Sequence, residues 1–130
     1  TLVGKATSDV FTNKTMIATT NVTTEISAIT DSATPTPTGG SLQNAFDVTA
    51  LAQAATFAAP SGTPANWNKL IIRIKDNGTA RALGWNAIYV AGGVALPTTT
   101  VLSKILTLGF IYNTANSLNK WQLVASAQEA

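Results

Sequence analysis

The sequence predicts an all-β fold: an antiparallel β-sandwich of jelly-roll type on residues 41–130, with residues 1–40 as an extended N-terminal arm and linker. Three observations carry this expectation. Apolar and polar residues alternate with period two in "KLIIRIK", "SKILTLGFIYN" and "KWQLVASAQ", which is the pattern of half-buried strands. Turn-forming clusters separate these runs about every dozen residues. No segment has the length and 3.6-residue periodicity of a convincing helix.

The elements follow in chain order. Residues 1 to 20, "TLVGKATSDVFTNKTMIATT", are polar, Thr-rich and aperiodic, so they read as an arm. Leu2, Val10, Phe11, Met16 and Ile17 are scattered along it and need the surface of a neighbouring subunit to cover them. "NVTTEISAIT" reads as one strand. "DSATPTPTGG", residues 31 to 40, reads as a loop and as the boundary of the compact body, because Pro35 and Pro37 cannot donate to a ladder. From Leu42 onward, Phe46, Val48 and Ala50 alternate with Asp47 and Thr49. The Ala-rich stretch that follows reads as strand, turn, strand, since Pro60 leaves little room for a stable helix.

In "KLIIRIKDNGTARALGW" the alternation places Leu70, Ile72 and Ile74 on one face and Ile71, Arg73 and Lys75 on the other. Asn77-Gly78 supplies residues suited to a tight hairpin turn, which predicts pairing of 69–75 with 79–85. Ala80, Ala82 and Gly84 then form a small-residue face suited to a close neighbour. "AGGVALPTTT" reads as a wide connection. The last third predicts a second hairpin, 103–113 with 119–127. Its core faces are Leu106, Leu108, Phe110 and Tyr112 on one strand, and Trp121, Leu123, Ala125 and Ala127 on the other.

Composition excludes more chemistry than it suggests. The 130 residues suffice for one core. Only 11% are charged, against roughly 25% in average globular usage, so Thr, Ser, Asn and Ala must cover the surface. Lys plus Arg is 8 and Asp plus Glu is 6, a surplus too small and too scattered for a nucleic-acid footprint. Cysteine and histidine are absent. That removes disulfides, thiolate metal sites, imidazole ligands and every His-dependent nucleophile. No apolar run approaches the roughly 18 residues of a membrane-spanning helix. The start at Thr1, without methionine or a leader, is that expected of a fragment or processed product.

No catalytic, cofactor or metal motif stands out. Among the carboxylates, Glu25 and Asp47 are the pair to test for glycosidase chemistry, because such a pair need not be close in sequence. Asp76 is placed to close an Asx-type turn. "AGGVALPTTT" has no P-loop lysine or strand-to-helix transition and is no phosphate cradle. Sequons at Asn13, Asn21 and Asn77 are expected by chance in so Thr-rich a chain. Trp85 and Trp121 read as core aromatics. Trp67 lies among turn-formers in "SGTPANWNK", and an exposed ring there calls for a ligand or a neighbour. Trp67 and Tyr89 are the candidate ligand or partner contacts.

The stretch "GTPANWNKLIIRIKDNGTARALGWNAIYVAGGVALPTTT", followed by a β-run, a polar turn and "KWQLVASAQEA", resembles a module recurrent in phage virion proteins. That module often stands at the C-terminus of tail-fibre, spike or head-fibre polypeptides. "DVFTNKTM", residues 9 to 16, is similar to segments of phage fibre chains. The resemblance implies a β-sandwich that works as a homotrimer in an extracellular particle. It implies a structural or adhesive role, with other virion proteins and a host-surface glycan as partners, and no catalytic residues. A capsid decoration or fibre-anchoring protein, touching the shell lattice, is the first alternative. A carbohydrate-binding module is the second, and would show a planar aromatic strip or a calcium-binding acidic cluster.

Overall fold

The computed structural model describes residues 24–130; the expected arm contacts of residues 1–20 lie outside the described residues. The strands are β1 Thr24–Ile29, β2 Gln43–Leu51, β3 Ala55–Phe57, β4 Lys69–Asp76, β5 Leu83–Trp85, β6 Tyr89–Ala91, β7 Ile105–Asn113 and β8 Lys120–Gln128. A 3-10 turn at Ala115–Ser117 joins the last two. Six strands form one sheet in the order β1-β2-β4-β7-β8-β6, and β3 and β5 form a second of two strands.

The fold is therefore all-β, as the alternation predicts, but the main sheet is mixed rather than antiparallel. β1 runs parallel to β2, β2 to β4, and β6 to β8, while β4–β7 and β7–β8 are antiparallel. The alternation in β4 holds residue by residue. Leu70, Ile72 and Ile74 are fully buried, and Ile71, Arg73 and Lys75 face outward. Phe46, Val48, Leu106, Leu108, Phe110, Trp121 and Leu123 extend the same buried face across the sheet. Ala55 and Phe57 of β3, with Leu83 of β5, close over it. Phe57 meets Phe46 edge-on at 6.5 Å and stacks on Trp85 at 4.7 Å.

The hairpin expected between 69–75 and 79–85 does not form. Both edges of β4 are taken, one by β2 and the other by β7, so no free ladder remains for a returning strand. The turn itself is present. Gly78 has φ 93 and its amide donates to Asp76 Oδ1 at 3.0 Å, the expected Asx contact. The chain then leaves for the second sheet, where β5 pairs with β3 in parallel. Gly84 there lies against Thr56 of the same chain, whose Oγ1 is 2.8 Å from where a Cβ would stand. Its smallness serves this internal contact. The second expected hairpin, β7 with β8, does form. A bulge at Val124 shifts its register between Gly109 and Phe110, so Ala125 pairs with Gly109 and Ala127 with Thr107 on the outer face. This moves the two alanines off the face on which alternation places Trp121 and Leu123.

Residues 24–40 lie against the body rather than outside it. β1 is an edge strand of the main sheet. The Pro35 and Pro37 segment runs beside residues 56–61: the amides of Thr56, Ala58 and Ser61 donate to the carbonyls of Ala33, Pro35 and Pro37 at 2.8 to 2.9 Å. The prolines accept but cannot donate, so the returning bond comes only at Gly39, whose amide donates to Ser61 O at 2.9 Å. Both rings are fully buried. Burial of the rings and the three accepted bonds hold a segment whose composition alone reads as linker.

Asp76 fastens the end of β4. It is 2% exposed, and its carboxylate accepts from the amides of Gly78 and Ser103 and from the Thr100 hydroxyl, the last two at 2.8 Å. Burial pushes the carboxyl up, but the Ser103, Thr100 and Gly78 donors and the Arg81 charge together hold it below the ordinary 3.8. The unfolded chain then binds the proton more readily than the folded one. The stabilisation is complete above the ordinary carboxylate range and disappears as pH falls through the depressed native value. Urea unfolding should lose about 2 kcal/mol in Asp76→Asn at neutral pH. The gap between the two proteins should narrow as pH falls below the ordinary carboxylate value of 3.8; a gap independent of pH would contradict this assignment.

Candidate functional site

The tight packing of the inner face leaves the loops and the outer face of the main sheet as the places where chemistry can occur. Trp67 lies at their junction, in the turn that leads into β4. Asn68 N donates to Ala65 O at 3.1 Å, closing the turn. Trp67 N donates to Tyr112 O at 2.9 Å and Tyr112 N to Asn68 O at 2.8 Å, clamping it to β7. Within this clamp Trp67 adopts φ 72, a left-handed conformation that is an outlier for a bulky side chain. The residue remains 66% exposed. The fold thus holds a large apolar ring in solvent on strained backbone.

The ring walls a pocket of about 320 Å³. Ile111 and Val124 line it from β7 and β8, Asn113 and Gln122 add side-chain amides from the same strands, and Asn66 adds a third from the turn. Register explains the grouping. Ile111 faces Gln122 across the β7–β8 ladder, Asn113 is two residues on and shares its face, and Val124, two residues after Gln122, takes the same outer face by alternation. Asn113 Nδ2 donates to Gln122 Oε1 at 3.0 Å. Asn113 Oδ1 accepts from Ala115 N at 2.8 Å, and Asn66 Oδ1 accepts from Thr114 N at 3.1 Å. A pocket whose described lining is uncharged, with one exposed aromatic wall and several amides, is suited to holding a polar, partly apolar ligand.

Tyr89, the other candidate contact, is not at this site. It is 3% exposed, packs edge-on against Phe110 at 5.3 Å and against Trp85 at 5.4 Å, and its hydroxyl donates to Ala58 O at 2.9 Å. Burial pushes its pKa up. It is a core aromatic with its polar atom satisfied, because β6 pairs with β8 and turns the ring inward. Trp85 and Trp121 are likewise internal: Trp85 is half-buried with Nε1 donating to Pro97 O at 2.7 Å, and Trp121 is 1% exposed.

Glu25 and Asp47 do not come together as a hydrolytic pair. Glu25 is opposite Asn44 and Ser27 opposite Phe46 in the β1–β2 register, so Glu25 shares the Phe46 face while Asp47 takes the other. Each described carboxylate also has a structural contact. Glu25 accepts from Ser41, Asp31 from Ala52 and Gln53, and Glu129 from Ile105, while Asp47 pairs with Arg73. Among the described residues no cluster of three or more His, Cys, Asp or Glu is arranged to hold a metal, and no helix is long and apolar enough to cross a membrane.

Alternation marks Asn113 and Gln122 as surface positions but carries no information on which strands adjoin, so the sequence has no signal linking them to Trp67. Comparison with protein-family models, curated proteins and solved structures finds no match to the chain.

The strain at Trp67 has a measurable consequence. Trp67→Gly should keep the fold and raise its stability by up to about 1 kcal/mol, since glycine adopts positive φ freely. A loss of more than about 1 kcal/mol in urea unfolding would instead make Trp67 a packing residue.

Proposed function

We propose that the chain is a non-enzymatic structural module of a phage particle, of the tail-fibre, head-fibre or spike type, that contributes to attachment to the host surface. The exposed Trp67 ring beside the amide-lined pocket carries the attachment reading, because strain and solvent exposure together are maintained there with no internal packing role to account for them. The resemblance of residues 62–100 and 120–130 to phage virion modules supplies the setting. The main sheet, covered on one face by β3 and β5, is read as a reduced β-sandwich. The dispersed carboxylates and their structural contacts support the non-enzymatic reading.

Assembly as a homotrimer belongs to the same reading. Ile26, Ala45, Ile71, Gly109 and Ala125 stand opposite one another across five strands, and Ile26 is 73% and Ile71 42% exposed. Such a row offers an apolar line for self-association. Light scattering of the full chain at micromolar concentration should give three times the monomer mass, and a monomer would contradict the trimer.

The attachment role is tested by pull-down of the purified chain on host cell envelopes. Trp67→Ala should reduce retention about tenfold or more with the unfolding midpoint little changed. Undiminished retention would contradict an attachment role for this ring.

A further inference from the structure

The hydrogen bonds inside the Trp67 pocket fix which polar atoms remain for a ligand. Asn66 Oδ1 accepts from the backbone amide of Thr114, and Asn113 Oδ1 from that of Ala115. Because a backbone N–H can only donate, both side-chain orientations are determined. Asn113 must then present its Nδ2 to Gln122, whose Oε1 accepts it. All three side-chain carbonyls are thereby engaged. Two NH2 groups remain, Asn66 Nδ2 and Gln122 Nε2, neither of which donates to another group among the described residues. The pocket thus offers donors beside apolar surface from Ile111 and Val124, with Trp67 as a further wall. Among the described residues no Lys, Arg, Asp or Glu lines it.

A ligand that fits must bring a hydrogen-bond acceptor adjoining a small apolar group, on a frame with a flat apolar face, and carry no charge. Resting on the attachment reading above, we infer that the pocket takes a neutral N-acetylated hexosamine. The acetamido carbonyl accepts from Asn66 Nδ2 and Gln122 Nε2, the acetyl methyl packs on Ile111 and Val124, and the sugar ring stacks on Trp67. A plain hexose lacks the acyl acceptor and the methyl. An acidic sugar would bring a carboxylate to a pocket with no cation among its described lining residues to receive it. The volume of about 320 Å³ lies at the lower end of the range for small-ligand sites, which matches one sugar residue rather than a long oligosaccharide.

NMR titration of the full chain tests this directly, using the methyl glycosides of N-acetylglucosamine and N-acetylgalactosamine against those of glucose and galactose. At least one N-acetyl glycoside should bind about tenfold or more tightly than its parent hexose, shifting the Trp67 indole and Gln122 side-chain amide resonances. Gln122→Glu and Asn66→Asp keep the acceptor oxygens that Asn113 and Thr114 use and replace the free donor by a carboxylate oxygen, which repels an acetamido carbonyl. Each should weaken that binding by about tenfold with unfolding midpoints unchanged at neutral pH. Equal affinity for hexose and N-acetylhexosamine, no binding of either N-acetyl glycoside, or undiminished binding in either variant overturns the inference. If neither glycoside binds while Trp67→Ala still abolishes envelope retention, the N-acetyl assignment fails and the attachment reading stands. If a glycoside binds as described while retention is indifferent to Trp67, the sugar site stands and the attachment reading fails.

Discussion

Burial of one face of β4 while both of its edges are hydrogen-bonded is the constraint on which the rest of the molecule depends. Leu70, Ile72 and Ile74 are fully buried, with parallel β2 on one side and antiparallel β7 on the other. A parallel neighbour cannot be reached by a tight turn. The chain must therefore travel from the end of β2 to the start of β4 through residues 52–68, and that crossover carries both β3, which lids the core, and the Trp67 turn. The filled edges also send residues 79–100 away from β4, to β5 in the second sheet and to β6 at the far edge of the main sheet.

The candidate site is a by-product of the same arrangement. β4 enters the sheet beside β7, so the turn before it is clamped to Tyr112 by two backbone bonds. That clamp leaves Trp67 with φ 72, while the β7–β8 ladder supplies the floor beneath it. Val124 reaches the pocket from the Gln122 face by simple alternation. The bulge at Val124 then reverses the alternation of β8, so Ala125 joins the outer row with Gly109 and Ile71. A site built from a turn, two strands and a bulge has contributors far apart in sequence, yet no contributor needs to move for it to exist.

Much of the fold was legible in the sequence because period-two alternation is a local signal. β2, β4, β7 and β8 and the β7–β8 hairpin follow from it, while β1 follows from a β-prone composition without regular spacing and the Asx turn at Asp76 from the residue type at the turn. Strand partners were legible only where a short turn joins them. Asn77-Gly78 is as good a hairpin signal as the chain contains, and its turn forms, but the competition for the edges of β4 is a tertiary matter. Pro35 and Pro37 misled for a related reason: a missing donor forbids a full ladder, not burial. At the site, the exposure of Trp67 could be read from its turn-rich surroundings. The inward ring of Tyr89 could not, because it depends on β6 pairing with a strand more than two dozen residues away.

Native-state hydrogen exchange tests the central arrangement most directly. If β4 is the doubly paired centre of the sheet, the amides of Leu70, Ile72 and Ile74 should exchange only through global unfolding, while those of Thr79 and Ala80 exchange rapidly. Protection of residues 79 to 85 equal to that of β4, with the β2 amides exchanging early, would mean that β4 pairs with the returning chain as a local hairpin, and would contradict the topology described above.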